Sequence, residues 1–474
     1  MKPGRIRGGE QVLSETPAIS RQPTRTPVSL ARVSLGCAHW FPLLFVLGGV
    51  YLPVIGKQFY LPFYVPLLYL LLLPSRFSLS VRRVARQDLY VGLYCAAALA
   101  SLPFAQDLPK YAYGAFSLFM IGIPAYVLGR QLAARPTWSP RLFLDVLIAL
   151  SAMLSLLYLT RLAIDPLGFR TAYLYKLAHV GGMRSNTLVS LHVFGFVATI
   201  MALPRTRGRS RGLLLALLAL QVAGGLAFNS RAYTVLMCIP LAAYLITGRD
   251  RVCWTLRGVL ALAALALVAW PPQALLETVS HRWATRLERE ESWLDSPRIQ
   301  IWLRSLEVAS ESPLFGHGLT NSFLGEDFLW GLVYTRATLE EISRVPPEAL
   351  TYRPDGWFMA HNTILQLLIE VGAFGAVVFV VILARFASSL RRLLRCRDPD
   401  VALLSKALLV GFVLAFVDGL VEPNFLTRDF GAFSWLLIGL AYSAEQARLP
   451  RSASPSVESS GAAASESSER VSKP

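Results

Sequence analysis

Apolar runs of roughly 17–22 residues recur along this chain, long enough to cross a hydrocarbon layer as helices. They predict twelve membrane spans, near 37–56, 60–74, 89–105, 111–129, 142–163, 187–203, 212–229, 231–247, 255–270, 363–384, 402–420 and 430–445. Short polar connections separate most of them, and one polar stretch of about ninety residues, 271–361, interrupts the series. The expected fold is all-α: a polytopic membrane protein of about twelve transmembrane helices with one large extracytoplasmic helical loop. The expected organisation is a disordered cytoplasmic segment 1–34, spans one to nine over 35–270, a periplasmic catalytic loop over 271–361, spans ten to twelve over 362–446, and a disordered cytoplasmic tail 447–474.

Composition agrees with the pattern. The 474 residues are 54% hydrophobic and 16% charged, with a mean hydropathy of +0.48. A soluble core has no room for that much apolar surface. The net charge of +16 does not point to nucleic acid, because the arginines sit in short loops where they act as topology signals. Arg76 to Arg86, Arg130 to Arg141, Arg205 to Arg211, Arg249 to Arg257 and Arg385 to Arg397 together hold nineteen arginines in five alternate loops. The bias assigns those loops and both termini to the cytoplasm, and 271–361 to the opposite side. Cysteines 37, 95, 238, 253 and 396 lie in or beside spans, with no metal-ligand spacing and no disulfide framework.

The long loop is built, not merely extended. Residues 274–291 read as an amphipathic interfacial helix. Ser296-Pro297 reads as an N-cap followed by proline at the first helical position, so a second helix is expected from Arg298 to about Ser310. Arg298 and Trp302, four apart, share a face of it. Pro313, Gly316 and Gly318 stop the helix in a turn that permits close backbone approach, and His317 within it reads as structural. Asn362 is placed to cap the next span, with His361 just outside. From 271 to 360 there are eight arginines and thirteen acidic residues, so an anion bound here needs placed arginines rather than a general field.

Three positions on the extracytoplasmic side form the candidate catalytic set: Arg231 in the short turn before span eight, Arg298 at the start of the loop helix, and His361 at the head of span ten. Paired guanidiniums grip a pyrophosphate through planar, charge-assisted bonds. A neutral imidazole accepts a proton from an attacking hydroxyl. Arg184, Trp302, Asn362 and Asp418 are the candidate substrate-binding residues, and Asp418 and Glu422 can orient an arginine or the histidine. Taken singly, each residue has a plainer reading: a snorkelling anchor for the arginines, a helix-start residue for His361, packing for Trp302 and Glu370.

The ordered set Ser230-Arg231, Arg298 to Trp302, Pro313 to Gly318, and His361-Asn362 with Gln366, Glu370, Gly372 and Gly375 resembles the O-antigen ligase and polymerase superfamily of bacterial membrane glycosyltransferases. The resemblance implies a donor glycan linked to undecaprenyl pyrophosphate, with no metal or nucleotide-sugar cofactor. It implies that Arg231 and Arg298 hold the pyrophosphate while His361 activates the acceptor hydroxyl, on another lipid-linked glycan or on a lipid A core. The expected partners are therefore donor, acceptor, membrane lipid and other polysaccharide-assembly proteins, and no nucleic acid. A lipid flippase or a peptidoglycan-type polymerase is the alternative. A flippase would place broken or charged helices at mid-membrane in related halves, whereas spans 142–163 and 212–229 have nearly charge-free centres.

Overall fold

The computed structural model describes residues 86–134, 138–164, 179–180, 183–227, 231–248, 253–254, 257, 297–325, 359–421, 424–426 and 428–448. These residues are helical apart from turns and one two-residue antiparallel pair, β1 (His179–Val180) with β2 (Met183–Arg184). The helices are α1 (Arg86–Ala100), α2 (Leu108–Phe116), α3 (Ile123–Ala134), α4 (Pro140–Ile164), α5 (Ser185–Ala202), α6 (Gly208–Ala227) and α7 (Arg231–Thr247). They continue with α8 (Pro297–Glu311), α9 (Thr363–Leu393), α10 (Pro399–Gly419) and α11 (Arg428–Arg448). A π-helical stretch, Ser117–Gly122, joins α2 to α3 without interrupting the rod.

Nine of the twelve expected spans fall on these helices. Those near 37–56, 60–74 and 255–270 lie outside the described residues or almost wholly so, as do the expected helix 274–291 and Glu422. Among the described helices, Leu108–Ala134, Pro140–Thr160, Thr363–Leu393 and Pro399–Gly419 are long and apolar enough to cross a membrane. The described residues are those of a helical membrane protein, apart from the short β1–β2 pair.

Packing follows the residues. α11 lies along α3, α4 packs on α5 and α6, α9 on α1 and α11, and α10 on α5 and α9. Where α3 crosses α11, Gly129 and Gly439 each face the other helix's backbone so closely that a Cβ would strike Leu436 O or Tyr126 O. Small residues that let backbones meet are the usual means of helix association in lipid. Tyr94, Phe379 and Trp435 fill the space beside that crossing, with the Tyr94 and Phe379 ring centres 5.2 Å apart.

Short connections make neighbouring helices antiparallel, so their ends gather at two poles. One pole is basic and stitched by charge. Arg130 pairs with Asp88 at 3.1 Å, Arg392 with Glu445 at 2.7 Å and Arg448 with Asp398 at 3.4 Å, while Arg205 donates to Pro399 O at 2.7 Å. The opposite pole carries the ends of α1 and α10, the starts of α2, α5, α7 and α9, and helix α8. It holds the candidate site.

Candidate functional site

Helix α8 begins at Pro297, where the missing N–H is no loss because the first-turn donors have no helical partner. It runs to Glu311, and its apolar face packs on α9: Ile301, Val308 and Ala309 meet Leu324, Ala360 and Ile369, with Trp302, Leu365 and Leu368 against them. The Trp302 indole N–H reaches the carbonyl of His361 at 3.4 Å. Arg298 lies one turn earlier, about 6 Å along the axis, and is exposed. Two of the three expected catalytic positions, sixty-odd residues apart in sequence, are thus joined through Trp302.

His361 itself has φ +48°, in the left-handed region that side chains other than glycine seldom occupy. Asn362 returns at once to extended backbone, and its side-chain oxygen accepts from Ile364 N at 2.9 Å and Leu365 N at 3.1 Å. This is the expected N-cap, and it sets His361 beside the positive end of the α9 dipole, a place suited to negative charge. The other end of the Asn362 amide donates to Leu420 O at 2.9 Å, tying the cap to the end of α10.

Asp418 belongs to that same end. It is buried and accepts a hydrogen bond from Ser190 of α5 at 3.0 Å, and its neighbour Gly419 lies against Thr363. Arg184 closes β2 immediately before α5, in whose second turn Ser190 lies. Arg231 opens α7, which packs on α5, α6 and α10. Chain direction therefore brings Arg184, Arg231, Arg298, His361 and Asp418 to one pole. Ser230 lies outside the described residues.

The glycine motifs have a different use. In α9, Gly372 has φ +64° and ψ −174°, so the helix is broken there. Ala373 N and Phe374 N would bond to the carbonyls of Ile369 and Glu370 in an unbroken helix. They donate instead to Pro313 O at 2.7 Å and Leu314 O at 3.4 Å. The vacated carbonyls accept from His317 N at 2.7 Å and Gly318 N at 2.9 Å. The turn 313–318 is inserted into the break and exchanges four backbone bonds with it. A Cβ on Gly316 would lie 2.6 Å from Gly372 N, and one on Gly372 would strike the Leu314 backbone. His317 is locked in the joint: its Nε2 donates to Val308 O at 2.9 Å, leaving Nδ1 to accept from Gln106 at 3.3 Å.

Sequence reasoning treated Glu370 as helix packing, and the structure adds to that. Glu370 accepts from the Gln366 amide at 2.6 Å, and Gln366 also donates to Ser322 and accepts from Ala360 N at 2.7 Å. Gln366 and Ser322 were not singled out as site residues. Gln366 and Glu370 four apart on one helix face was the available signal; no local pattern marks Ser322. Among the described residues no cluster of three or more His, Cys, Asp or Glu side chains is placed to hold a metal ion.

Residues 194–380 match the model of the O-antigen ligase family. The match supports the resemblance of the chain to the O-antigen ligase and polymerase superfamily. The ligase match takes in Arg231, Arg298, Trp302, the 313–318 joint and His361 through Gly375, and leaves Arg184 and Asp418 outside. No curated protein matches the chain. The match supports a bacterial membrane protein of glycan processing in O-antigen assembly, of glycosyltransferase type.

Proposed function

We propose that this protein transfers a glycan from undecaprenyl pyrophosphate to a sugar hydroxyl on the extracytoplasmic face of the inner membrane. The observation that carries the reading is the Trp302–His361 contact, which joins the arginine-bearing helix α8 to a strained histidine at the start of a membrane helix. In the proposed step the acceptor oxygen attacks the anomeric carbon and its proton passes to the His361 imidazole. The bond from that carbon to the pyrophosphate oxygen breaks as the new glycosidic bond forms. Arg298, with Arg231 from the head of α7, neutralises the charge that grows on the leaving pyrophosphate. Arg184 adds positive charge at the start of α5, and Asp418 orients the cationic groups. The basic pole faces the cytoplasm in this reading, with twelve spans and both termini inside.

His361→Ala and Arg298→Ala are expected to lower surface-glycan formation in a deletion strain by about a hundredfold or more. Membrane insertion and protein level should stay as in the wild type, and lipid-linked donor should accumulate. Normal polysaccharide from both variants would overturn the mechanism. The acceptor is read from the deletion strain itself: single lipid-linked repeats indicate a polymerase, and completed chains never joined to lipid A core indicate a ligase.

A further inference from the structure

His361 occupies an unfavourable backbone conformation, and such strain persists only where the surroundings over-determine it. Its own carbonyl is held by Trp302, and the residue after it is held by the Asn362 cap. The residue before it is held from inside the bundle. Ala360, fully buried, donates its N–H to Gln366 at 2.7 Å.

That bond fixes the orientation of the Gln366 amide. An N–H can only meet the amide oxygen, so the amide nitrogen faces the other way, and both of its hydrogens are used there, on Glu370 and on Ser322. Gln366, Ser322 and Glu370 are all buried. Glu370 takes a further backbone hydrogen bond from Thr320. Thr320 itself has φ +57°, and its hydroxyl bonds the carbonyl of Lys110. The chain of bonds therefore runs from the first turn of α2, through the 318–322 turn, to the first two turns of α9, and ends on the amide beside His361. Gln366 sits on the rigid part of this chain, because its own N–H closes the first helical turn onto Asn362 O at 2.9 Å.

We propose that Gln366 is a positioning residue for His361, holding Ala360 by its amide oxygen while Glu370 and Ser322 hold its amide nitrogen. The proposal rests on the reading of His361 as the proton acceptor. Without the Gln366 oxygen, Ala360 is free to turn, His361 relaxes to ordinary backbone angles, and the imidazole leaves the position set by Trp302 and the cap. A plain core role would ask only for a side chain of similar volume. The positioning role asks for an acceptor at one end and a matched donor–acceptor pair at the other.

That difference defines the test, made on the full chain. Gln366→Met keeps the volume and removes all three side-chain bonds. Gln366→Glu keeps the acceptor for Ala360 but sets two carboxyl groups against each other. The exchanged pair, Gln366→Glu with Glu370→Gln, restores a matched set, since the new amide at 370 donates to the new carboxyl at 366 and still accepts from Thr320, while the Ser322 hydroxyl turns to donate to that carboxyl.

Two readouts are taken: surface-glycan formation in a deletion strain at matched protein level, and hydrogen exchange of the Ala360 amide in detergent-solubilised protein. Gln366→Met and Gln366→Glu are each expected to lower glycan formation about ten- to a hundredfold, with faster Ala360 exchange, and the exchanged pair to return within about threefold of wild type. A folded Gln366→Met protein with wild-type activity would overturn the proposal. So would an exchanged pair no better than Gln366→Glu alone, a comparison that stands even where Gln366→Met fails to fold. His361→Ala assayed alongside keeps the two readings separate. Its activity tests the role of His361, while the exchange of Ala360 needs no substrate and tests the hold by Gln366.

Discussion

A side chain in the left-handed region costs roughly 1–2 kcal/mol relative to ordinary backbone, so the +48° at His361 must be compensated by its neighbours. Trp302 supplies one part of that compensation, through a single indole N–H at 3.4 Å from the His361 carbonyl. The rest of the ring packs against the cluster of Ile301, Val308 and Ile369. Those two contributions separate cleanly. Trp302→Phe keeps most of the packing and deletes only the donor, so stability should fall by about 1 kcal/mol or less while glycan formation falls about tenfold. Thermal unfolding in detergent and a complementation assay measure the two sides. Full activity in Trp302→Phe would mean that the ring serves α8 packing alone and that His361 is held by the cap and Gln366.

At the scale of elements, the decisive feature is the joint between the 313–318 turn and the break in α9. Four exchanged backbone bonds and two facing glycines fasten α8 to the membrane helix that carries His361. Gly372→Ala meets two penalties, a positive φ and a collision with the Leu314 backbone, and should lower stability by roughly 3 kcal/mol or more. Gly92→Ala is the internal control, since Gly92 lies inside α1 with open space around it, and should be neutral or gain up to about 1 kcal/mol of helix propensity. Equal unfolding midpoints for the two variants would show that the joint bears no strain. The joint also marks where sequence reading stops. Apolar run length located the helices, Pro297 located the start of α8, and Asn362 located the cap of α9, because each is a local signal. The turn at 313–318 was legible from its glycines, but its target was not: hydropathy passes through Gly372 unchanged, and the backbone bonds that fill the break come from residues nearly sixty positions away. For the same reason Arg298 and His361 were legible as candidates, whereas the Ser322–Gln366 bond was not, because neither partner carries a charge or a motif that marks it.

For the whole molecule, the proposed side of the membrane for the site rests on the separation of charge between the two poles. Arg130, Arg205, Arg392 and Arg448 meet acids or carbonyls at one pole, and the loop between α9 and α10 adds Arg395 and Arg397 there. An arginine-rich end stays on the cytoplasmic side during insertion, and the preference is cumulative over short loops. In the proposed function the pole with α8 and His361 faces outward, where an acceptor sugar is reached without crossing the bilayer. Two positions report this directly. Cys396 lies in the α9–α10 connection at the basic pole, and Ser310 is exposed on α8 at the other. In intact spheroplasts carrying Ser310→Cys, a membrane-impermeant maleimide should modify residue 310 and leave Cys396 untouched, and both should react after lysis. Peptide mass spectrometry identifies the modified thiol even with the other native cysteines in place. Modification of Cys396 from outside, or protection of residue 310 until lysis, would invert the molecule, and a histidine on the ribosomal side of the membrane could not serve an acceptor on the other.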